Sequence, residues 1–143
     1  NMLVHAHSGL RWVVLILMLV AIAKAMGWKK KTEFKEGDRK IFLFAMISFH
    51  TQFLLGLVLY FQSPKVAMVE GFMKDAVSRF YVMEHLVAMI IAFVLITIGH
   101  SKSKKATDVV KKYKSIAVFY TIAIIIVLAS IPWPFRNLGG QWF

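Results

Sequence analysis

The sequence predicts an all-α integral membrane protein, a four-helix up-down bundle with both termini on the outer side of the bilayer. Three observations predict it. Four apolar stretches, at about 3–26, 41–61, 80–99 and 115–135, each approach or exceed the roughly 20 residues of helix that a bilayer core requires. Hydrophobic residues make up 59% of the 143 positions and mean hydropathy is +0.66, too apolar for a soluble domain of this size, whose surface would have to be polar. The basic residues, finally, gather around two connections that belong to one side. The chain has room for a single four-span domain, 1–143, and shows no internal repeat or low-complexity tract.

The first stretch carries no basic region ahead of it and is followed by lysines rather than by a small-residue cleavage site, so it reads as a retained span and not as a signal peptide. Between the first two spans cluster Lys24, Lys29, Lys30, Lys31, Lys35, Arg39 and Lys40, and between the last two Lys102, Lys104, Lys105, Lys111, Lys112 and Lys114. Short Lys/Arg-rich loops stay cytoplasmic. The net charge of +11 therefore reports topology, and nucleic acid is not the expected partner.

In the second span Phe42, Phe44, Phe49 and Phe53 read as packing. The connection from Gln62 to Arg79 places Val69, Phe72, Met73, Ala76, Val77 and Phe80 at helical spacing with Pro64 near the start. That pattern predicts a short amphipathic helix on the outer membrane surface, packing as a connector on the bundle mouth. The third span carries a small-residue stripe, Ala88, Ala92 and Gly99, suited to close helix approach. In the fourth, Ile122 to Leu128 run without a polar interruption, unlike the alternating strands of about 10 residues in a membrane barrel. Helix is the default because every backbone N–H must find its carbonyl within the segment. Trp12, Trp28, Trp133 and Trp142 read as interfacial anchors, and Met18, Met46, Met83 and Met89 as bundle filler.

No cysteine is present. This removes c-type haem attachment, iron–sulfur ligation, disulfides and thiolate metal sites together. No nucleotide-binding loop or nucleophile triad pattern appears either. Metal chemistry here must use His, Met or carboxylate.

The histidines are the informative residues. Spans one and three run the same way, and His7 and His85 each lie roughly 6–8 Å below the outer boundary at about 1.5 Å per residue. A b-type haem held between helices needs two imidazoles on opposite faces of its iron at one level, and His7 with His85 meets that need. His50 lies near the bilayer middle, roughly 9 Å deeper than His85 by the same rise. It reads as a hydrogen-bonded packing residue or as a quinone or proton contact. His100 reads as interfacial, and His5 as lying above the membrane, where His5-x-His7 offers an alternative metal pair.

Other polar groups share the outer half. Arg11 is one turn from His7 on the same face and Glu84 adjoins His85, so an Arg11–Glu84 ion pair is expected to offset part of the cost of intramembrane charge. With a haem present, Arg11, Arg79 and Arg136 are the candidates to hold its propionates in bidentate fashion. Ser8, Ser130 and Glu84 are candidates to accept the second N–H of a ligating imidazole. Were quinol oxidised here, Glu84 or His50 would be the proton acceptor. Gly56, near the level of His85, offers a notch for a porphyrin edge or for close helix approach.

The runs HAHSGLRW (His5 to Trp12), FHTQFLLGLVLYF (Phe49 to Phe61), FYVMEH (Phe80 to His85) and IPWPF (Ile131 to Phe135) resemble a family of small four-span proteins in Bacteroidetes-type bacteria labelled cytochrome b-like. The resemblance covers most of the chain. It implies a protein of the bacterial cytoplasmic membrane with a respiratory or associated role, carrying over His7, His50 and His85. The expected function is an electron-transfer subunit, a haem b protein linking the quinone pool to a larger membrane complex. Two other readings stay open, a cofactor-free accessory subunit of such a complex and a small metal or proton carrier using His5, His7, His50 and Glu84.

Overall fold

The structure is a computed structural model and describes residues 2–62, 83–137, 140 and 142. Among these residues all regular structure is helical, and four helices are long and apolar enough to cross a membrane: α1 (Met2–Ala25), α2 (Glu36–Gln62), α3 (His85–Lys105) and α4 (Val109–Ser130). The amphipathic helix expected between Gln62 and Arg79, the first residues of the third span at 80–82, and the candidate Arg79 lie outside the described residues.

Helix ends follow local chemistry. Gly27 stops α1 with φ 73, a left-handed conformation that a side chain disfavours, and a 3-10 turn at Trp28–Lys30 follows. α2 begins at Glu36, five residues ahead of the apolar stretch at 41, and places Glu36 and Asp38 in its first turn, where carboxylates suit the helix dipole. α3 runs past Gly99 through His100 to Lys105, with Lys102, Lys104 and Lys105 in its last turn; cations there complement the C-terminal carbonyls. α4 starts at Val109 rather than 115 because the Asp108 side chain accepts from the Lys111 amide at 3.3 Å. It stops at Ser130 rather than 135 because Pro132 and Pro134 bias the residues ahead of them away from helix.

α1 packs chiefly on α2 and α3 on α4, while α1–α4 and α2–α3 contacts join the two pairs. α1 and α3, the helices of His7 and His85, are therefore not principal neighbours. The interior combines small residues, Ala21, Ala25, Ala45, Ala92 and Ala123, with fully buried Met18, Phe42, Ile96, Ile116, Tyr113 and Tyr120. Large aliphatics such as Ile16, Leu19, Leu54 and Ile125 face outward. That inversion suits a lipid solvent, in which close backbone approach rather than apolar burial drives helix association. At Gly99 an added Cβ would press on the Phe119 side chain and lie 3.4 Å from the Ser115 carbonyl, so α3 meets α4 closely there.

The lysine-rich end is closed by a polar and aromatic cap. Asp38 is buried, and its Oδ2 accepts the Tyr113 hydroxyl at 2.6 Å, while the Lys35 amide donates to the same hydroxyl at 3.2 Å. The rings of Phe34 and Phe42 meet Tyr113 edge-on at 5.1 and 5.8 Å. Lys112 Nζ donates to the Ser103 and Lys104 carbonyls at 3.1 and 3.3 Å, engaging carbonyls that the end of α3 would otherwise leave open. Deeper in the bundle the Tyr120 hydroxyl donates to the Phe42 carbonyl at 2.8 Å.

Candidate functional site

At the opposite end, α1, α2, α3 and the α4 terminus bring polar side chains together. His85 is the first residue of α3, and its Nδ1 donates to the Ser130 carbonyl at 2.7 Å. A neutral imidazole that donates from Nδ1 carries its lone pair on Nε2. This is the state in which histidine ligates a metal, with the backbone carbonyl orienting the ring. Ser130 is thus the acceptor anticipated for a second imidazole N–H, acting through its main chain.

His7 is seated against α2. The Gln52 amide donates from Nε2 to the His7 carbonyl at 2.7 Å, and a Cβ added at Gly56, one turn further along α2, would lie 3.2 Å from His7 Cε1. The notch at Gly56 admits the His7 imidazole. Nδ1 of His7 and Oε1 of Gln52 are buried and have no hydrogen-bond partner among the described residues. Buried polar atoms are nearly always paired, so these two mark the place where a group outside the described residues fits best. His7 lies within electrostatic reach of His85 and Arg11, and His85 within reach of Arg136 and Arg11.

Arg11 is buried within α1. Its Nη2 donates to the Trp142 carbonyl at 2.7 Å, and the Trp12 indole donates to the same oxygen at 2.6 Å. The guanidinium stands 5.5 Å from the Trp12 ring centroid and 5.0 Å from that of Trp133, and the Trp12, Trp133 and Trp142 rings pack mutually at 5.7–6.4 Å. The expected Arg11–Glu84 ion pair gives way to this arrangement. Glu84 is exposed at the head of α3, and a carbonyl with two indole faces stabilises the cation instead. Arg136 Nη1 donates to the Ala129 and Ile131 carbonyls at 3.0 Å each, where it caps the end of α4.

His50 belongs to a different group. Its Nε2 lies 3.0 Å from the Thr97 hydroxyl, which donates to the Phe93 carbonyl at 2.8 Å. The hydroxyl has one hydrogen, directed at that carbonyl, so it accepts from His50 Nε2–H. The ring also packs on Phe93 at 4.6 Å. His5 is exposed on α1. Among the described residues no three His, Asp or Glu side chains converge as a metal-binding group.

Of the residues predicted from sequence, the structure brings together His7, His85 and Arg11, adds Arg136 at the rim, and leaves His50 in a separate contact between α2 and α3. Sequence reasoning passed over Gln52, Thr97 and the Trp142 carbonyl. Gln52 is an uncharged polar residue inside an apolar span, a signal visible in the sequence. Main-chain acceptors such as those of Trp142 and Ser130 leave no mark in side-chain identity. No protein-family model, curated protein or solved structure matches the chain.

Proposed function

We propose that the chain is an electron-transfer subunit of a bacterial cytoplasmic membrane, an up-down bundle with both termini outside that holds one b-type haem between His7 and His85 and links the quinone pool to a partner complex. The observation that carries the reading is the imidazole pair. His85 is oriented through Nδ1 by the Ser130 carbonyl, and His7 has a buried ring nitrogen with no partner among the described residues. The two rings come from helices that are not principal neighbours, so a group held by both would sit between α1 and α3.

A bound haem would supply the one-electron step, and the chain its binding, orientation and surroundings. His7 and His85 would hold the haem iron. Gln52 holds the backbone of His7 and Gly56 seats its ring, and the Ser130 carbonyl orients the His85 ring. Arg11 and Arg136 would exchange main-chain carbonyls for propionate oxygens, a change that strengthens their hydrogen bonds because the acceptor gains charge. Were quinol the donor, exposed Glu84 is the accessible proton acceptor, since His50 already donates to Thr97.

Reduced-minus-oxidised visible spectra of the purified protein, made with adequate haem supply, test this directly. A b-type α-band that disappears in both His7→Ala and His85→Ala is expected; a flat spectrum from the parent protein overturns the reading. The filled notch at Gly56 favours a second reading, a cofactor-free accessory subunit in which His7 serves packing. That reading predicts a colourless protein that co-purifies with a larger complex.

A further inference from the structure

We infer that the lysine-rich end carries a binding site for the phosphate of an anionic phospholipid headgroup, in the cavity bounded by Lys30, Lys31, Thr32, Lys35 and Tyr113. The cavity measures about 330 Å³ and is also lined by Glu33, a size at the lower end of the roughly 300–1,000 Å³ typical of small-ligand sites. Its walls come from the segment between Gly27 and α2 and from the first turns of α4.

The charge around it is one-sided. Thirteen basic residues stand at this end, from Lys24 to Lys40 and from Lys102 to Lys114, against the acidic Glu33, Glu36, Asp38 and Asp108. Three of those carboxylates are already engaged: Glu36 pairs with Arg39, Asp38 accepts from Tyr113 and Asp108 accepts from the Lys111 amide. The three lysines of the cavity have no ion pair among the described residues; Lys31 Nζ instead lies over the Tyr113 ring at 4.8 Å. The Tyr113 hydroxyl, held by Asp38 and the Lys35 amide, fixes the cavity floor, so the lysines hang from an ordered wall. Such an end recruits an anion.

The position selects a lipid over a free anion. The cavity follows Trp28, an interfacial anchor whose ring lies beneath Lys29 and Lys114 at 5.5 and 4.9 Å. Beside Trp28 the exposed Met26 offers apolar surface for the first carbons of an acyl chain. Basic pockets between helices at a membrane boundary are suited to phosphate headgroups. This site is independent of the histidine end and does not require the haem reading.

The test measures retention of short-chain phosphatidylglycerol or phosphatidylcholine by the full chain in detergent, read by native mass spectrometry. The variant Lys30→Gln/Lys31→Gln/Lys35→Gln is compared with Lys102→Gln/Lys104→Gln/Lys105→Gln, which removes the same charge elsewhere at this end. Retention of phosphatidylglycerol should fall about tenfold or more in the first triple and little in the second, because each lysine near the lipid surface contributes on the order of a fewfold in affinity. The double variant Lys30→Gln/Lys35→Gln keeps Lys31 on Tyr113 and should show the same direction even if the triple folds poorly. Equal losses in both triples, or no preference for phosphatidylglycerol over phosphatidylcholine, overturn the inference. Displacement of the lipid by millimolar inorganic phosphate would overturn the lipid assignment, and resistance to it supports the headgroup.

Discussion

Replacing Gly56 probes the seat of His7 most directly. A Cβ at this position lies 3.2 Å from His7 Cε1, whereas carbon atoms pack best at about 3.5–4.0 Å. In Gly56→Ala the imidazole has to retreat by a few tenths of an ångström. The helix meanwhile gains up to about 1 kcal/mol from losing an interior glycine, so the two effects nearly cancel in stability. Gly56→Val adds two methyl groups to the same contact. Overpacking of that kind costs about 1–3 kcal/mol, which outweighs the smaller helical gain of a β-branched residue, so a net loss of about 1–2 kcal/mol is expected. Unfolding in mixed micelles, followed by tryptophan fluorescence, measures the stability, and imidazole NMR resonances report the ring. The His7 resonances should move in both variants while those of His50 stay. A Gly56→Val protein as stable as the parent, with unshifted His7 resonances, would refute the seating of His7 on Gly56 and the geometry built on it.

Tyr113→Phe removes the hydroxyl that Asp38 accepts, leaving a buried carboxylate short of a donor, and should cost about 1.5–3 kcal/mol. Tyr120→Phe removes only a neutral bond to the Phe42 carbonyl and should cost about 1 kcal/mol; equal costs in the same micelle titration would contradict the ranking. The chain has no cysteine, so single cysteines report sidedness cleanly. With an impermeant maleimide on intact cells, Asn137→Cys should label and Thr107→Cys should label only after permeabilisation, and the reverse pattern would invert the proposed topology. Thr97→Val leaves His50 Nε2–H without its acceptor and should destabilise by about 1 kcal/mol without altering any His7- or His85-dependent absorbance; a lost absorbance would make His50 part of the site.

The spans were legible because lipid imposes a rule that composition can express, about 20 apolar residues in internally bonded helix. Their ends were less so. The extension of α3 through Lys102, Lys104 and Lys105 is invisible to a search for apolar runs, since a helix can continue into water when its last turn carries cations. Asp108 ahead of Val109 is, by contrast, a helix-start signal that the sequence carries. In the site, equal depth on two spans of the same direction relates His7 to His85, and i,i+4 spacing relates Arg11 to His7. Glu84 lies beyond what spacing can place. Adjacency to His85 in sequence places its side chain about 100° round the helix, and the carbonyl of Trp142, over a hundred positions away, reached Arg11 instead.

The two ends of the bundle satisfy their polar groups in different ways, and the difference argues for where function resides. At the lysine-rich end the buried carboxylate of Asp38 is met by Tyr113, and Lys112 engages the carbonyls at the end of α3. Its polar atoms are closed by the chain itself, and what remains is unpaired surface charge facing the membrane boundary. At the histidine end a ring nitrogen of His7 and the Gln52 carbonyl oxygen are buried without partners among the described residues. A bundle loses stability by keeping such atoms in low dielectric. Replacing His7 by Leu, which removes the imidazole and keeps its bulk, should therefore stabilise the cofactor-free protein by about 1 kcal/mol or more. The same replacement would abolish any absorbance that depends on His7. A variant more stable but colourless identifies His7 as a residue held for chemistry against the preference of the fold, whereas a variant that loses stability assigns it to packing.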